Sequence, residues 1–163
     1  MEPIRNALTH MLDGHAPYPG FALDRMWRVV KINAPARTLF GVMGVSEGDN
    51  LLELFRSERL PEFVENWSDV AYHTAQRLRT ESAAQGGLAE LDATADYLSR
   101  VPSPKRTIPL PVIPTIYRAG PMRLSLFSTL AQFGTPEDVT LDDLKIELFF
   151  PADPETEASL RAL

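Results

Sequence analysis

Phe21-Ala22-Leu23-Asp24-Arg25-Met26-Trp27-Arg28-Val29-Val30-Lys31-Ile32-Asn33-Ala34-Pro35-Ala36-Arg37-Thr38-Leu39-Phe40-Gly41 changes period along its length, and the changes decide the fold. Phe21 and Leu23 share one face of a short strand. Trp27, Val29, Lys31 and Asn33 then alternate with Arg28, Val30 and Ile32 on a second strand. A turn at Asp24 to Met26 joins the two, which gives an antiparallel hairpin. At Asn33 the period lengthens. Asn33 reads as the N-cap of a short helix, with Pro35 in its first turn and Gly41 closing it. Leu39 and Phe40 are expected to bury under the hairpin.

Upstream, residues 3–13 place Ile4, Leu8, Met11 and Leu12 on one helical stripe, with Pro3 at the start and Gly14 at the stop. His15 to Gly20 is a connector. Downstream, Asp49 or Asn50 caps a short helix over residues 51–55. After Pro61 comes the strongest period in the chain: Phe63, Trp67, Val70, Ala71, Thr74 and Leu78 on one stripe, with Glu62, Glu65, Asp69, Gln76 and Arg79 outward. Gly86-Gly87 breaks this helix. A second follows on Leu88, Leu91, Ala95 and Leu98, so the pair predicts an antiparallel helical hairpin.

From Val101 to Pro121 the prolines at 102, 104, 109, 111, 114 and 121 confine the chain to extended or edge structure. Met122 to Phe133 reads as a long strand, with Leu124, Leu126, Ser128 and Leu130 on one face. Gly134 to Asp143 is a turn region in which Thr140 and Asp143 are spaced as a capping pair. Leu144, Ile146, Leu148 and Phe150 then point inward and Lys145 and Glu147 outward on a last strand that stops at Pro151. Residues 154–163 suit a short helix. Strands at both ends with helices between predict an α+β domain, an antiparallel sheet with helices packed on one face and a cavity beneath them. Residues 1–163 form a single domain, with no linker or repeat.

Composition narrows the function. The 163 residues are enough for a core, since a domain of this size buries about two-thirds of its unfolded surface. Hydrophobic residues at 44% and charged residues at 23% are the globular balance. Cysteine is absent, which excludes disulfide frameworks, zinc ribbons, thiol nucleophiles and iron–sulfur centres. With 16 Lys+Arg against 22 Asp+Glu the net charge is −6, a surface that repels phosphate backbones. No apolar run approaches the ~20 residues of a membrane span. Met1-Glu2-Pro3 does not start a secretory leader, so a cytoplasmic location is expected.

The element order is that of a PAS domain. More narrowly, residues 21–41 resemble the MmyB-like ligand-binding domain of XRE-family helix-turn-helix transcription regulators. Asp49-Asn50-Leu51-Leu52-Glu53-Leu54-Phe55 and Glu65-Asn66-Trp67 are similar to further pieces of that family. The resemblance runs from about Ile4 to Asp153 and implies a PAS-like ligand-binding domain of a bacterial regulator. It implies a DNA-binding half ahead of this chain and absent from it, with helix 3–13 as the connector. It also implies a pocket for a small hydrophobic, fatty-acid-like ligand, and DNA contact only through the missing half. A homodimer is expected, since such regulators bind paired half-sites. Val101 to Pro121 departs from the family pattern, lacking the Trp and His usual there.

Stripes that should face one another name the candidate ligand contacts: Phe21, Leu23, Val29, Phe55, Trp67, Val70, Thr74, Leu78, Leu124, Leu126 and Phe127. Tyr117 joins them, because Trp67 and Tyr117 carry polar tips able to orient a head group. Against this, apolar stripes ordinarily do no more than fill a core at crystal density. His73 lies beside the inward stripe with only Asp69 at helical spacing, which reads as a surface contact. His10 and His15 do not make a metal site. No cofactor is called for. Ser125 and Ser128 exist, but no glycine elbow, HExxH, Walker loop or GxGxxG accompanies them, so an enzyme is not expected. The alternative to a sensor is a ligand-free dimerisation module with a filled core.

Overall fold

The computed structural model describes residues 2–103, 112–134 and 143–163. The expected cap at Thr140 lies outside them. Among the described residues five strands form one antiparallel sheet: β1 (Gly20–Leu23), β2 (Val29–Ile32), β3 (Thr115–Ala119), β4 (Met122–Ala131) and β5 (Lys145–Pro151), in the order β2-β1-β5-β4-β3. Helix α1 (Glu2–Gly14) precedes them. Helices α2 (Ala34–Gly41), α3 (Leu51–Phe55), α4 (Leu60–Phe63), α5 (Trp67–Ala84) and α6 (Ala89–Leu98) lie between β2 and β3, and α7 (Pro154–Arg161) closes the chain. This is the PAS-like α+β architecture expected. Residues 104–111 of the proline-rich stretch lie outside the described residues; β3, flanked by Pro114 and Pro121, is an edge strand of the sheet.

Local chemistry explains the starts. Asn33 Oδ1 accepts from Ala36 N at 3.0 Å and caps α2, while Asn50 Oδ1 caps α3 through Leu52 N at 2.8 Å. Asp153 caps α7 through Thr156 N at 2.7 Å. Gly86 and Gly87 both take positive φ, 78° and 100°, which glycine adopts without strain. The chain can therefore reverse there, and α6 packs antiparallel on α5. At Gly20 a Cβ would stand 3.1 Å from Leu12 Cδ2, so glycine lets α1 approach β1.

Several expectations need correcting. Phe21 pairs with Ile32 and Leu23 with Val29, with a bulge between them. Val30 is the extra residue and is exposed, so Ile32 falls on the buried face with Val29. The long helix starts at Trp67, and Phe63 belongs to α4. Between them Val64 bridges Tyr117, and Glu65 N donates to the Ile116 carbonyl at 2.8 Å. Residues 64–66 thus cover the open edge of β3. Asn66 completes the cover: its Nδ2 donates to the Pro114 carbonyl at 2.7 Å and its Oδ1 accepts from Ile116 N at 3.0 Å.

The largest correction concerns which face of β5 meets the helices. Leu8 and Leu12 of α1 pack with Ala22 and Ile146 in a small cluster on one face of the sheet. Phe149, with Phe21, Leu124 and Leu126, faces the main core under α2–α6. Both faces are covered, so Glu147, expected outward, is buried. Asp69, also expected outward, is buried in the first turn of α5, whereas His73 is exposed against the Tyr72 ring.

Candidate functional site

A cavity of about 130 Å³ lies between the sheet and helices α2–α5. Its floor is Phe21 from β1, Tyr117 from β3, Leu126 and Ser128 from β4, and Glu147 and Phe149 from β5. Its roof is Phe40, Met43, Val45, Leu51, Leu54, Phe55, Leu60, Val64, Val70, Thr74 and Arg77. Trp27, Ile113 and Thr115 complete the wall. At one end the rings of Phe21, Phe40 and Phe149 meet pairwise at 5.3 to 5.8 Å, and Tyr117 stands 5.5 Å from Phe40. Tilted and edge-on contacts of this kind are the favoured geometries of aromatic pairs.

The other end is charged. Arg77 Nε donates to Glu81 Oε2 at 2.7 Å and Nη1 to Glu147 Oε2 at 3.1 Å. Trp27 Nε1 donates to Glu81 Oε1 at 3.0 Å, and Ser128 Oγ to Glu147 Oε1 at 2.9 Å. Each oxygen of the two carboxylates therefore has a donor. Arg77 Nη2 is buried and has no partner, a state that costs about 1–3 kcal/mol when nothing fills the position. Burial works against the Arg77 charge, but Glu147 and Glu81 outweigh it and hold the guanidinium above its usual pKa. Burial, with the Glu147 charge beside it, likewise pushes the Tyr117 hydroxyl well above its usual value, so it stays a neutral donor.

Of the residues named from sequence, Phe21, Phe55, Val70, Thr74, Tyr117 and Leu126 line this cavity. Leu23, Val29, Leu78 and Leu124 are buried outside its wall and act as core. Trp67 stacks on Phe55 and borders an open groove with Tyr97 and Val101. Phe127 stacks on Phe150 instead, on the opposite face of β4 from Leu126. The sequence reading missed Trp27, Arg77 and Glu147. One signal was present: Val70, Thr74, Arg77 and Glu81 continue a single helical stripe, so its apolar half predicted where the charged half points.

Among the described residues no three His, Asp or Glu side chains are grouped to hold a metal ion, and no helix is long and apolar enough to cross a membrane. An apolar, partly enclosed space with a few convergent polar groups is the pattern of a small-molecule site. The fold is a PAS-like α+β sheet with helices packed over an apolar cavity. The chain belongs to the MmyB-like transcription regulator ligand binding domain family, whose model matches residues 4–109. Domains of that family serve regulators and are generally not enzymes. No curated protein matches the chain. Among solved structures, the PAS domain of BvgS from Bordetella pertussis is 14% identical, with 99% of this chain and 95% of that one covered and a TM-score of 0.45. The PAS domain of an HTR-like protein from Haloarcula marismortui is 13% identical, with 92% and 93% covered and a TM-score of 0.40.

Proposed function

We propose that this chain is the sensory part of a bacterial transcription regulator, and that a small hydrophobic ligand in the cavity between sheet and helices sets the state of an attached DNA-binding half. The observation that carries the reading is the cavity itself, in a chain whose family supplies ligand-binding domains to regulators. Filling it favours one packing of α2–α5 on the sheet over another, and only that difference in affinity can shift the population. Helix α1 is the route out, since its end is fastened to the sheet and to α2 through Asn33, whose Nδ2 donates to the Leu12 carbonyl at 2.9 Å.

Size limits the ligand. An apolar cavity of about 150 Å³ takes benzene, so about 130 Å³ suits a single ring or a short chain. A long fatty-acid chain requires α2–α4 to move away from the sheet. Homodimerisation is part of the same proposal. Because Leu8 and Leu12 are occupied by the sheet, the contact between copies uses another surface.

Solvent extraction of the purified protein with mass spectrometry, and calorimetry with small hydrophobes, test the reading. A stoichiometric hydrophobe, or saturable binding that raises the unfolding midpoint, supports it. A chain that co-purifies with nothing and binds no small hydrophobe is a dimerisation module, and the sensor reading fails.

A further inference from the structure

Resting on the reading of the cavity as a ligand site, we propose that it selects a neutral carbonyl compound, a small ketone, lactone or amide, and rejects carboxylates. Arg77 is the determinant. Two of its nitrogens are taken by Glu81 and Glu147, and the third, Nη2, is buried without a partner on a side chain that forms part of the cavity wall. Both oxygens of Glu81 and both of Glu147 already accept a hydrogen bond, from Trp27, Arg77 and Ser128. The one unmatched polar atom in the cluster is therefore a donor, and its complement is an acceptor oxygen. Burying that oxygen beside Nη2 satisfies a group that is otherwise unpaired.

Charge excludes the anion. One guanidinium stands between two carboxylates, so the cluster carries a surplus of one negative charge. A ligand carboxylate would add a third to a poorly hydrated site, where like charges repel strongly. An arginine alone in a pocket would recruit acids. This one is already neutralised, and what it still offers is a hydrogen bond. The apolar remainder of the wall, Phe21, Phe40, Phe149 and Leu126, then accepts the hydrocarbon body of the same molecule.

Matched probes of one skeleton test the selection: cyclopentanone, cyclopentane and cyclopentanecarboxylate, titrated at pH 7 with ligand-observed NMR. The ketone is expected to bind about tenfold tighter than the hydrocarbon, the order of one hydrogen bond to a charged group, and the carboxylate more weakly than both. Arg77→Met should bring ketone and hydrocarbon together. Glu147→Gln keeps the side-chain shape, removes one negative charge, and should narrow the gap between ketone and carboxylate even if Arg77→Met does not fold. Equal binding of ketone and hydrocarbon overturns the role of Arg77 while leaving the cavity a ligand site. Tightest binding by the carboxylate overturns the charge argument in the same way. Failure of all three probes on the unaltered protein sinks the ligand site itself, and the selection with it.

Discussion

The guanidinium carbon of Arg77 lies 4.4 Å from the centre of the Trp27 ring, and the two side chains meet on the same carboxylate, Glu81. The contact ties α5 to the turn between β1 and β2, elements far apart in the chain. Trp27 needs such an anchor. Its φ is 64°, a left-handed conformation that bulky residues rarely adopt, yet its ring is almost wholly buried.

Trp27→Phe keeps an aromatic ring in the core but removes the Nε1 donor and leaves Glu81 Oε1 unpaired. The expected loss is about 1–2 kcal/mol in urea denaturation. Combined with Glu81→Ala in a double-mutant cycle the losses should fall short of additive, because the two changes act on one contact. Additive losses would show that the bond contributes nothing of its own.

Arg77→Met leaves the Glu147 carboxylate buried with only Ser128 beside it. Breaking a buried pair from one side costs about 3 kcal/mol near neutral pH. Urea denaturation at pH 7 should show a loss of that order for Arg77→Met against the parent, and a loss below about 1 kcal/mol would contradict the charge account.

Asp153 links stability to pH. The Thr156 hydroxyl and backbone N–H hold its pKa below the ordinary aspartate value. A depressed folded pKa contributes stability above the unfolded pKa and loses it as pH falls through the folded one. Asp153→Ala should cost about 1 kcal/mol at pH 7, as for other lost caps, with the difference shrinking in strong acid. Asp153→Asn keeps the cap acceptor and should lose little at either pH.

What the sequence made legible follows the range of the physics involved. The caps at Asn33 and at Asp49 or Asn50 depend on neighbours two or three residues away, so side-chain chemistry alone suggests them; the cap at Asp153 is of the same kind, and the sequence reading missed it. Period 2 in residues 144–150 identified β5 but not which face meets the larger layer. That depends on α1 arriving at Ala22 and Ile146 from the other end of the chain. The same gap hid the charged end of the cavity. On α5, Ala71, Ala75, Leu78 and Ser82 form the buried stripe, and Val70, Thr74, Arg77 and Glu81 run beside it. Arg77 and Glu81 carry no signal of burial by themselves, because Glu147, which pairs with Arg77, comes from a distant strand.

Asn33 shows how much one local signal can hide. Its Oδ1 accepts from Ala36 N and Gly20 N, and its Nδ2 donates to the carbonyls of Leu12 and Tyr18 at 2.9 and 3.0 Å. The cap was legible; the junction of α1, β1 and α2 was not. Asn33→Ala should cost about 3 kcal/mol, more than a cap alone, because buried partners are left unpaired. Asn33→Asp keeps both acceptor contacts but turns an oxygen toward two carbonyls, and should be at least as damaging. A loss below 1 kcal/mol for Asn33→Ala in denaturant titration would reduce the residue to an ordinary cap.

Phe149 puts its ring in the cavity wall while its carbonyl accepts from His15 Nε2 at 2.7 Å. His15 follows directly on α1, and its ring also meets Tyr18 and Phe150 edge-on. A ligand that presses on Phe149 therefore acts on the segment that fastens the C-terminal end of α1, without touching α1 itself. Amide hydrogen exchange reads this link. Saturating the cavity with a bound hydrophobe should slow exchange in residues 8–14 as well as in α5, whose side chains meet the ligand. His15→Ala should leave the α5 response in place and weaken the one in α1, since one of the two fastenings of that helix, the ring that meets the cavity wall, is gone. Undiminished protection of α1 in His15→Ala would mean the coupling runs through Asn33 and the hairpin alone, and the His15 route would be discarded.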